Sequence, residues 1–177
     1  TEVCVGEGYD RIFLVSEYVK STVRWRCPAT VLELGCEIPT DLDPDTASRS
    51  KRCCYTSSPD RGGNFLREMW PEVEAETGYA LECSPYGESF SDVAMAALYR
   101  RSRFWLFPAI GTDSILATLE AQAAGCIPFV VPHMGLPETL RYGIRSDLFR
   151  FKTDLIRVLK DPSVIPQQLH ARGSGLA

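Results

Sequence analysis

The chain has 177 residues, with 19 basic and 23 acidic side chains and a formal net charge of −4 at pH 7. Its hydrophobic content of 45% and charged content of 24% are ordinary for globular proteins, which excludes a disordered or fibrous chain. A mildly acidic chain does not suit bulk nucleic-acid binding, which requires a basic surface against the phosphates. Because the longest apolar runs are strand-sized and no leader peptide is visible, we expect neither a transmembrane segment nor a signal peptide.

The first predicted elements are short and are followed by a linker. They are a buried strand at residues 11–16 (RIFLVS), a helix at 17–25 and a second strand at 29–34. Residues 38–50 (IPTDLDPDTASRS) contain two prolines and several aspartates without apolar periodicity, which is typical of a linker. We therefore expect a boundary here, between a first unit at residues 1–37 and a second domain at residues 51–177.

From residue 52 onward, strands and helices alternate. The predicted strands are residues 52–56, 79–83, 103–107 and 127–131. A helix is predicted over residues 65–73, where the apolar residues fall on one face. Further helices are predicted over residues 91–100, 114–124, 137–142 and 153–159. Pro71 inside the first of these helices predicts a kink or an early end. The alternation predicts an α/β fold, a Rossmann-like parallel sheet with helices on both faces.

Ligands of parallel sheets bind beyond the carboxyl ends of the strands, which points first to the loop after Thr56. The segment YTSSPDRGG (55–63) offers the hydroxyls of Ser57 and Ser58 and several backbone N–H groups beside Arg61. This composition suits a phosphate, although neither a Walker A lysine nor a GxGxxG pattern accompanies it. A simple turn is the alternative.

The loop after Phe107 leads into a helix that carries the second candidate site. Thr112, Asp113 and Ser114 are capping-type residues, and the free N–H groups of a helix start suit a phosphate. Glu120, near the end of the same helix, can accept two hydrogen bonds from ribose hydroxyls. The alternative is an ordinary N-cap and a solvated glutamate. We expect the large apolar side chains of this helix to face the sheet, namely Ile115, Leu116 and Leu119.

The loop after Val131 carries the segment HMGLPE (133–138) into a short helix. Glu138 falls in the first turn of that helix, where the helix dipole favours a carboxylate. This effect alone explains Glu138.

The seven cysteines do not have the spacing of metal ligands. They favour buried free thiols in a reducing, cytoplasmic compartment over disulfides or a metal site. His133 and His170 are far apart in the sequence, and the acidic segment 41–43 (DLD) falls in the linker. We therefore expect no metal site.

Several segments, in register over roughly residues 10–143, resemble the retaining glycosyltransferases of family 4, which have the two-domain GT-B fold. EAQAAGCIP (120–128) followed by GLPET (135–139) is similar to the family's EAxAxGxPV…GxxPE signature. YTSSPDRG (55–62) with MWPEV (69–73) resembles the opening of its C-terminal domain. Weaker similarities lie at 14–18 (LVSEY) and 104–108 (FWLFP).

The resemblance implies a donor site for a nucleotide-diphosphate sugar, with no cofactor and no essential metal. Glu120 corresponds to the glutamate that holds the donor ribose. Arg61 corresponds to the basic residue that contacts the diphosphate and stabilises the leaving nucleotide, and the helix start at residues 112–114 lies near the sugar. The catalytic residues implied are Arg61 and Asp113.

Two departures from the family pattern concern catalysis. The family pairs two glutamates eight positions apart, but Thr112 stands eight residues before Glu120. The adjacent Asp113 could take the place of the missing glutamate with a shift of one residue. A lysine that follows the family's basic residue is also missing, and the next cation is Arg67.

The sequence thus predicts a glycosyltransferase that moves a hexose from a nucleotide-diphosphate sugar in glycan biosynthesis. The resemblance implies that residues 1–37 are the end of an N-terminal Rossmann-like half. This chain would then be mainly the donor-binding domain, weakly active without that acceptor-binding half as its partner. The first alternative is a degenerate module that binds a nucleotide sugar or a protein without catalysis. The second is a generic flavodoxin-like domain with no preference for UDP or GDP over AMP or FMN.

Overall fold

The computed structural model describes residues 4–6, 8–32, 34–36, 49–85, 91–109, 115–161 and 163. The elements before residue 50 are β1 (Cys4–Val5), β2 (Ile12–Leu14), α1 (Glu17–Thr22), β3 (Arg24–Trp25) and β4 (Ala29–Val31). The later strands are β5 (Arg52–Tyr55), β6 (Ala80–Cys83), β7 (Phe104–Phe107), β8 (Ile127–Val130) and β9 (Ile144–Arg145). The later helices are α2 (Gly63–Thr77), α3 (Asp92–Arg101), α4 (Ile115–Ala123), α5 (Leu136–Thr139) and α6 (Phe151–Lys160). None of the described helices is long and apolar enough to cross a bilayer.

The later strands build one five-stranded sheet in the order β6-β5-β7-β8-β9, and all neighbouring strands are parallel. The chain passes from β5 to β6 and then returns to β7 on the other side of β5. This reversal is a topological switch point, the place where Rossmann-like sheets bind their ligands. The predicted α/β fold with a parallel sheet is confirmed.

The side chains of the central strands alternate between two helical layers. Leu106 pairs with Phe129, whose ring lies 4.8 Å from that of Phe151 on α6, measured between centroids. Trp105 and Phe107 therefore point to the opposite face, where their rings stack at 5.4 Å. Because β7 is buried on both faces, its sequence is continuously apolar and does not alternate.

The elements before residue 50 form two small parallel sheets, β1 with β3 and β2 with β4. Helix α1 follows β2 and is capped by Ser16, whose hydroxyl accepts a hydrogen bond from the Val19 N–H. Most of the predicted linker, including the acidic segment 41–43, lies outside the described residues. The boundaries proposed for the domains therefore stay a prediction.

Two sequence predictions of helix length are corrected. Helix α1 ends at Thr22 rather than residue 25, because Arg24 and Trp25 pair with β1 as strand β3. Of the two outcomes expected at Pro71, the early end is wrong, since helix α2 continues to Thr77. Pro71 is exposed, so water can bond the carbonyl that its missing N–H leaves unpaired.

Candidate functional site

The loops after β5 and β7 meet at the topological switch point. Gly62, in the first loop, has a φ of 108°, a conformation that favours glycine. A Cβ atom added at Gly62 would lie 2.8 Å from Cγ of Pro108, which opens the second loop. The two loops are thus packed together with no room for a side chain between them.

The buried ring of Tyr55 holds the first loop in shape. Its hydroxyl donates a hydrogen bond to the Ser58 carbonyl at 2.6 Å, and the same carbonyl accepts from the Arg61 N–H at 3.0 Å. Burial raises the pKa of Tyr55 to about 12, so that the hydroxyl keeps its proton and remains a donor at neutral pH. Gly63, where α2 begins, lies directly against the Tyr55 ring.

The residues that the sequence assigns to phosphate binding lie on this loop with different accessibility. Ser57 and Ser58 are half-buried, whereas Arg61 is exposed at the end of a 3₁₀ turn spanning Pro59–Arg61. Hydrogen bonding from Ser58, with the positive charge of Arg61, lowers the pKa of Asp60. Asp60 is therefore ionised beside Arg61, and an incoming phosphate must compete with it.

Glu120 lies on α4 and faces α3. The Tyr99 hydroxyl donates a hydrogen bond to Oε2 of Glu120 at 3.3 Å. Partial burial raises the pKa of Glu120, and the charge of Asp92 raises it further, whereas the Tyr99 hydrogen bond lowers it. Partial burial raises the pKa of Cys36, and the charge of Glu120 raises it further.

Hydrogen bonds connect Glu120 to the base of the first loop. The Tyr99 hydroxyl lies 3.0 Å from Oγ1 of Thr56, the residue that follows β5 and precedes Ser57. The Trp105 indole N–H also donates to Oγ1 of Thr56, at 2.8 Å. The structure therefore brings Glu120 and the loop of Ser57, Ser58 and Arg61 to the same end of the sheet, where the sequence predicted a site.

Thr112, Asp113 and Ser114 lie outside the described residues. Helix α4 is described from Ile115 onward. The predicted anion site at the start of this helix and the role of Asp113 stay predictions.

The expectation that Leu116 faces the sheet is wrong, since its side chain is 50% exposed. The buried face of α4 carries small and polar residues instead, namely Thr118, Ala121 and Gln122. Burial of the polar Gln122 is possible because its amide is hydrogen-bonded to the carbonyls of Thr118 and Thr139.

Gln122 is a structural residue of this region that the sequence analysis missed. Its amide Nε2 donates to the carbonyls of Thr118 and Thr139 at 3.0 and 2.9 Å. Its Oε1 accepts from the N–H groups of Arg141 and Tyr142 at 2.7 and 3.2 Å. A single amide within a run of alanines (121–124) was the available signal for such a buried polar contact.

Glu138 makes a contact that its position in α5 does not explain. Its two carboxylate oxygens accept from the backbone N–H groups of Glu17 and Tyr18, each at 2.8 Å. These groups open helix α1, whose first N–H groups have no partner within the helix. Glu138 therefore ties the first elements of the chain to α5, a role different from the dipole effect expected from the sequence.

The loop after Val131, the third predicted location, borders a separate cavity of about 430 Å³ beyond β8 and β9. Its walls include Arg145, Ser146 and Asp154, and the Ser146 hydroxyl donates to Asp154 at 2.9 Å. Among the described residues, the hydrogen bonds that connect Glu120 to Tyr99 and Thr56 do not involve the residues of this cavity.

Comparisons with known proteins give a structural relative but no sequence relative. No protein-family model and no curated protein matches the chain. Among solved structures, it is similar to the pneumococcal O-GlcNAc transferase GtfA in complex with UDP and GlcNAc. The TM-score is 0.63 at 11% sequence identity, and the match covers 93% of this chain and 41% of that one. The chain therefore shares a fold with a glycosyltransferase and spans less than half of its length.

Proposed function

We propose that this chain is the donor-binding domain of a glycosyltransferase and binds a nucleotide-diphosphate sugar at the switch point of its sheet. The observation that carries the proposal is the hydrogen-bonded connection between Glu120 and Thr56. This connection supports a site that combines the Glu120 carboxylate, suited to ribose hydroxyls, with the serine- and arginine-containing loop after Thr56, suited to a diphosphate. The fold shared with an O-GlcNAc transferase supports the same conclusion.

The proposed roles follow from the chemistry of the donor. The Glu120 carboxylate accepts hydrogen bonds from vicinal ribose hydroxyls, which an ionised carboxyl group does without needing a proton of its own. Arg61 and the backbone N–H groups after Thr56 contact the diphosphate. Because sugar transfer leaves negative charge on the departing diphosphate, an exposed guanidinium at this position stabilises the transition state more than the ground state.

The transfer reaction itself requires more than the described residues. We propose that the sugar lies near Asp113, which follows Thr112 at the position of the family's first glutamate, and that a hexose is transferred. An N-terminal half would supply the acceptor site across a cleft. This chain alone is then expected to bind a donor weakly and to transfer little.

A binding module without catalysis is the second candidate, favoured by Thr112 in place of the family glutamate. Such a module would keep the contacts of Glu120 and Arg61 and bind a nucleotide sugar. It would not cleave the sugar–phosphate bond even when joined to its acceptor-binding half. Donor hydrolysis or transfer by the joined protein separates the two candidates.

The test is a thermal-shift and calorimetric screen with UDP, GDP, ADP and their sugars. A bound ligand raises the melting temperature by mass action, and loss of one charged hydrogen-bonding group weakens binding by roughly 10- to 100-fold. We expect one nucleoside diphosphate to stabilise the chain and both Glu120→Ala and Arg61→Ala to abolish the effect.

Matched controls are available at exposed positions of α2 and α6 that lie outside the loops after β5 and β7. Glu68→Ala on α2 and Arg157→Ala on α6 remove the same charges from exposed positions. They should leave binding unchanged. If no nucleotide stabilises the chain, or if nucleotides stabilise all four variants as much as the wild type, the proposed donor site is overturned.

A further inference from the structure

Three hydrogen bonds lead from the core of the sheet to Glu120. The Trp105 indole N–H lies 2.8 Å from Oγ1 of Thr56, this oxygen lies 3.0 Å from the Tyr99 hydroxyl, and that hydroxyl lies 3.3 Å from Oε2 of Glu120. They join β7, the end of β5, α3 and α4. The chain of bonds begins in the core and ends at a carboxylate that is only partly buried.

The direction of these bonds is fixed by the chemistry of their ends. An indole N–H can only donate, and an ionised carboxylate can only accept. Each of the two hydroxyls between them has a single proton. Tyr99 must therefore donate to Glu120 and accept from Thr56, and Thr56 must accept from Trp105. Hydrogen bonds aligned in one direction polarise and strengthen one another.

The inner members of this chain cannot move freely. Trp105 is fully buried and stacks on Phe107, and Tyr99 is 2% exposed. The backbone carbonyl of Tyr99 accepts hydrogen bonds from the Cys126 thiol at 3.0 Å and from Arg49 at 3.3 Å. The Tyr99 hydroxyl is thus held in place, and it determines where the carboxylate of Glu120 lies.

We propose that Tyr99 is a positioning residue of the donor site, which orients the Glu120 carboxylate toward the vicinal hydroxyls of a bound nucleotide. The inference rests on the proposed function for the identity of the ligand. Tyr99 bonds to Oε2, and within the part of the chain that the structure describes, Oε1 and the remaining lone pair of Oε2 can accept bonds from the ligand. The pre-set orientation reduces the loss of side-chain entropy on binding.

A structural role alone would have a different consequence. A buried tyrosine hydroxyl needs a partner in any case, and its removal lowers stability whether or not it positions Glu120. Ligand affinity and the pKa of Glu120 separate the two roles. Because the Tyr99 bond lowers the pKa of Glu120, Tyr99→Phe should raise that pKa and move the loss of nucleotide binding to higher pH.

The experiment compares the wild-type chain with Tyr99→Phe, Thr56→Val and the control Tyr142→Phe. The hydroxyl of Tyr142, which is partly exposed, donates a hydrogen bond to the Gln122 carbonyl at 2.8 Å. Gln122 lies on α4, as Glu120 does, but this bond is not one of the three that lead to Glu120. The readouts are calorimetric binding of UDP, GDP and ADP with their 2′,3′-dideoxy analogues, and the carbon-13 NMR titration of Glu120, assigned with Glu120→Gln.

Tyr99→Phe should weaken nucleotide binding roughly tenfold, with a smaller loss in Thr56→Val and none in Tyr142→Phe. The difference should vanish with the dideoxy analogues, which lack the hydroxyls that Glu120 holds. If the wild type binds a nucleotide but Tyr99→Phe binds it equally well, or leaves the Glu120 titration unchanged, the positioning role is overturned and the proposed function stands. Failure of the wild type to bind any of the three nucleotides overturns the proposed function, and with it the positioning role.

Discussion

At the scale of single residues, the charge of Glu120 lowers the stability of the unliganded chain but is needed for binding of the proposed ligand. Partial burial and the charge of Asp92 raise its pKa, so that its ionised form is less stable in the folded than in the unfolded chain. The free energy of unfolding of the unliganded chain should therefore rise as the pH falls through the raised pKa. Binding of ribose hydroxyls needs the ionised form and should weaken over the same pH range.

Glu120→Gln tests both consequences in one variant. The unliganded variant should melt at a higher temperature than the wild type at neutral pH, because the cost of the buried charge is gone. Its nucleotide affinity should be lower and should lose its pH dependence. Melting curves and calorimetry between about pH 4 and 8 measure both. A variant that melts lower and binds equally well would contradict the role given to Glu120.

At the scale of elements, Glu138 connects α5 to the start of α1 through its bonds to Glu17 and Tyr18. Loss of this cap should destabilise the chain by about 0.5–2 kcal/mol, as at other helix starts. In Glu138→Ala, the amides of Glu17 and Tyr18 should exchange hydrogen fast, while those of α2 and α6 keep their protection. Hydrogen exchange read by NMR measures this.

Two further variants complete the test of this contact. Glu138→Gln keeps one carbonyl acceptor and should fall between the wild type and Glu138→Ala. Glu17→Gln removes a charge at the same helix end without removing the acceptor, and should change stability little. Equal protection of α1 in Glu138→Ala and the wild type would show that the contact does not hold the first elements in place.

The strands of the sheet were predictable, because a strand buried on both faces is a continuous apolar run such as Phe104–Phe107. Strands β3 and β9 were not, since each has two residues and is defined by its partner alone. The loop of Ser57, Ser58 and Arg61 and the position of Glu120 followed from composition and the family resemblance. The contacts of Tyr99, Gln122 and Glu138 were missed because the partners lie 17 to 121 residues away along the chain.

At the scale of the whole molecule, the sheet order explains why the proposed site lies where it does. The passage from β5 to β6 and back to β7 places the switch point at the carboxyl ends of β5 and β7, and Thr56 lies directly after β5 at this end of the sheet. The first elements of the chain are joined to α5 through the hydrogen bonds that Glu138 accepts from Glu17 and Tyr18.

The most direct measurement is a crystal structure of the chain with the nucleoside diphosphate that stabilises it most. It should show the ribose hydroxyls about 3 Å from the carboxylate oxygens of Glu120. The diphosphate should lie on the backbone N–H groups between Ser57 and Gly63, with Arg61 against it. A nucleotide bound instead in the cavity beside Ser146 and Asp154, or with its ribose turned away from Glu120, would contradict the proposed donor site.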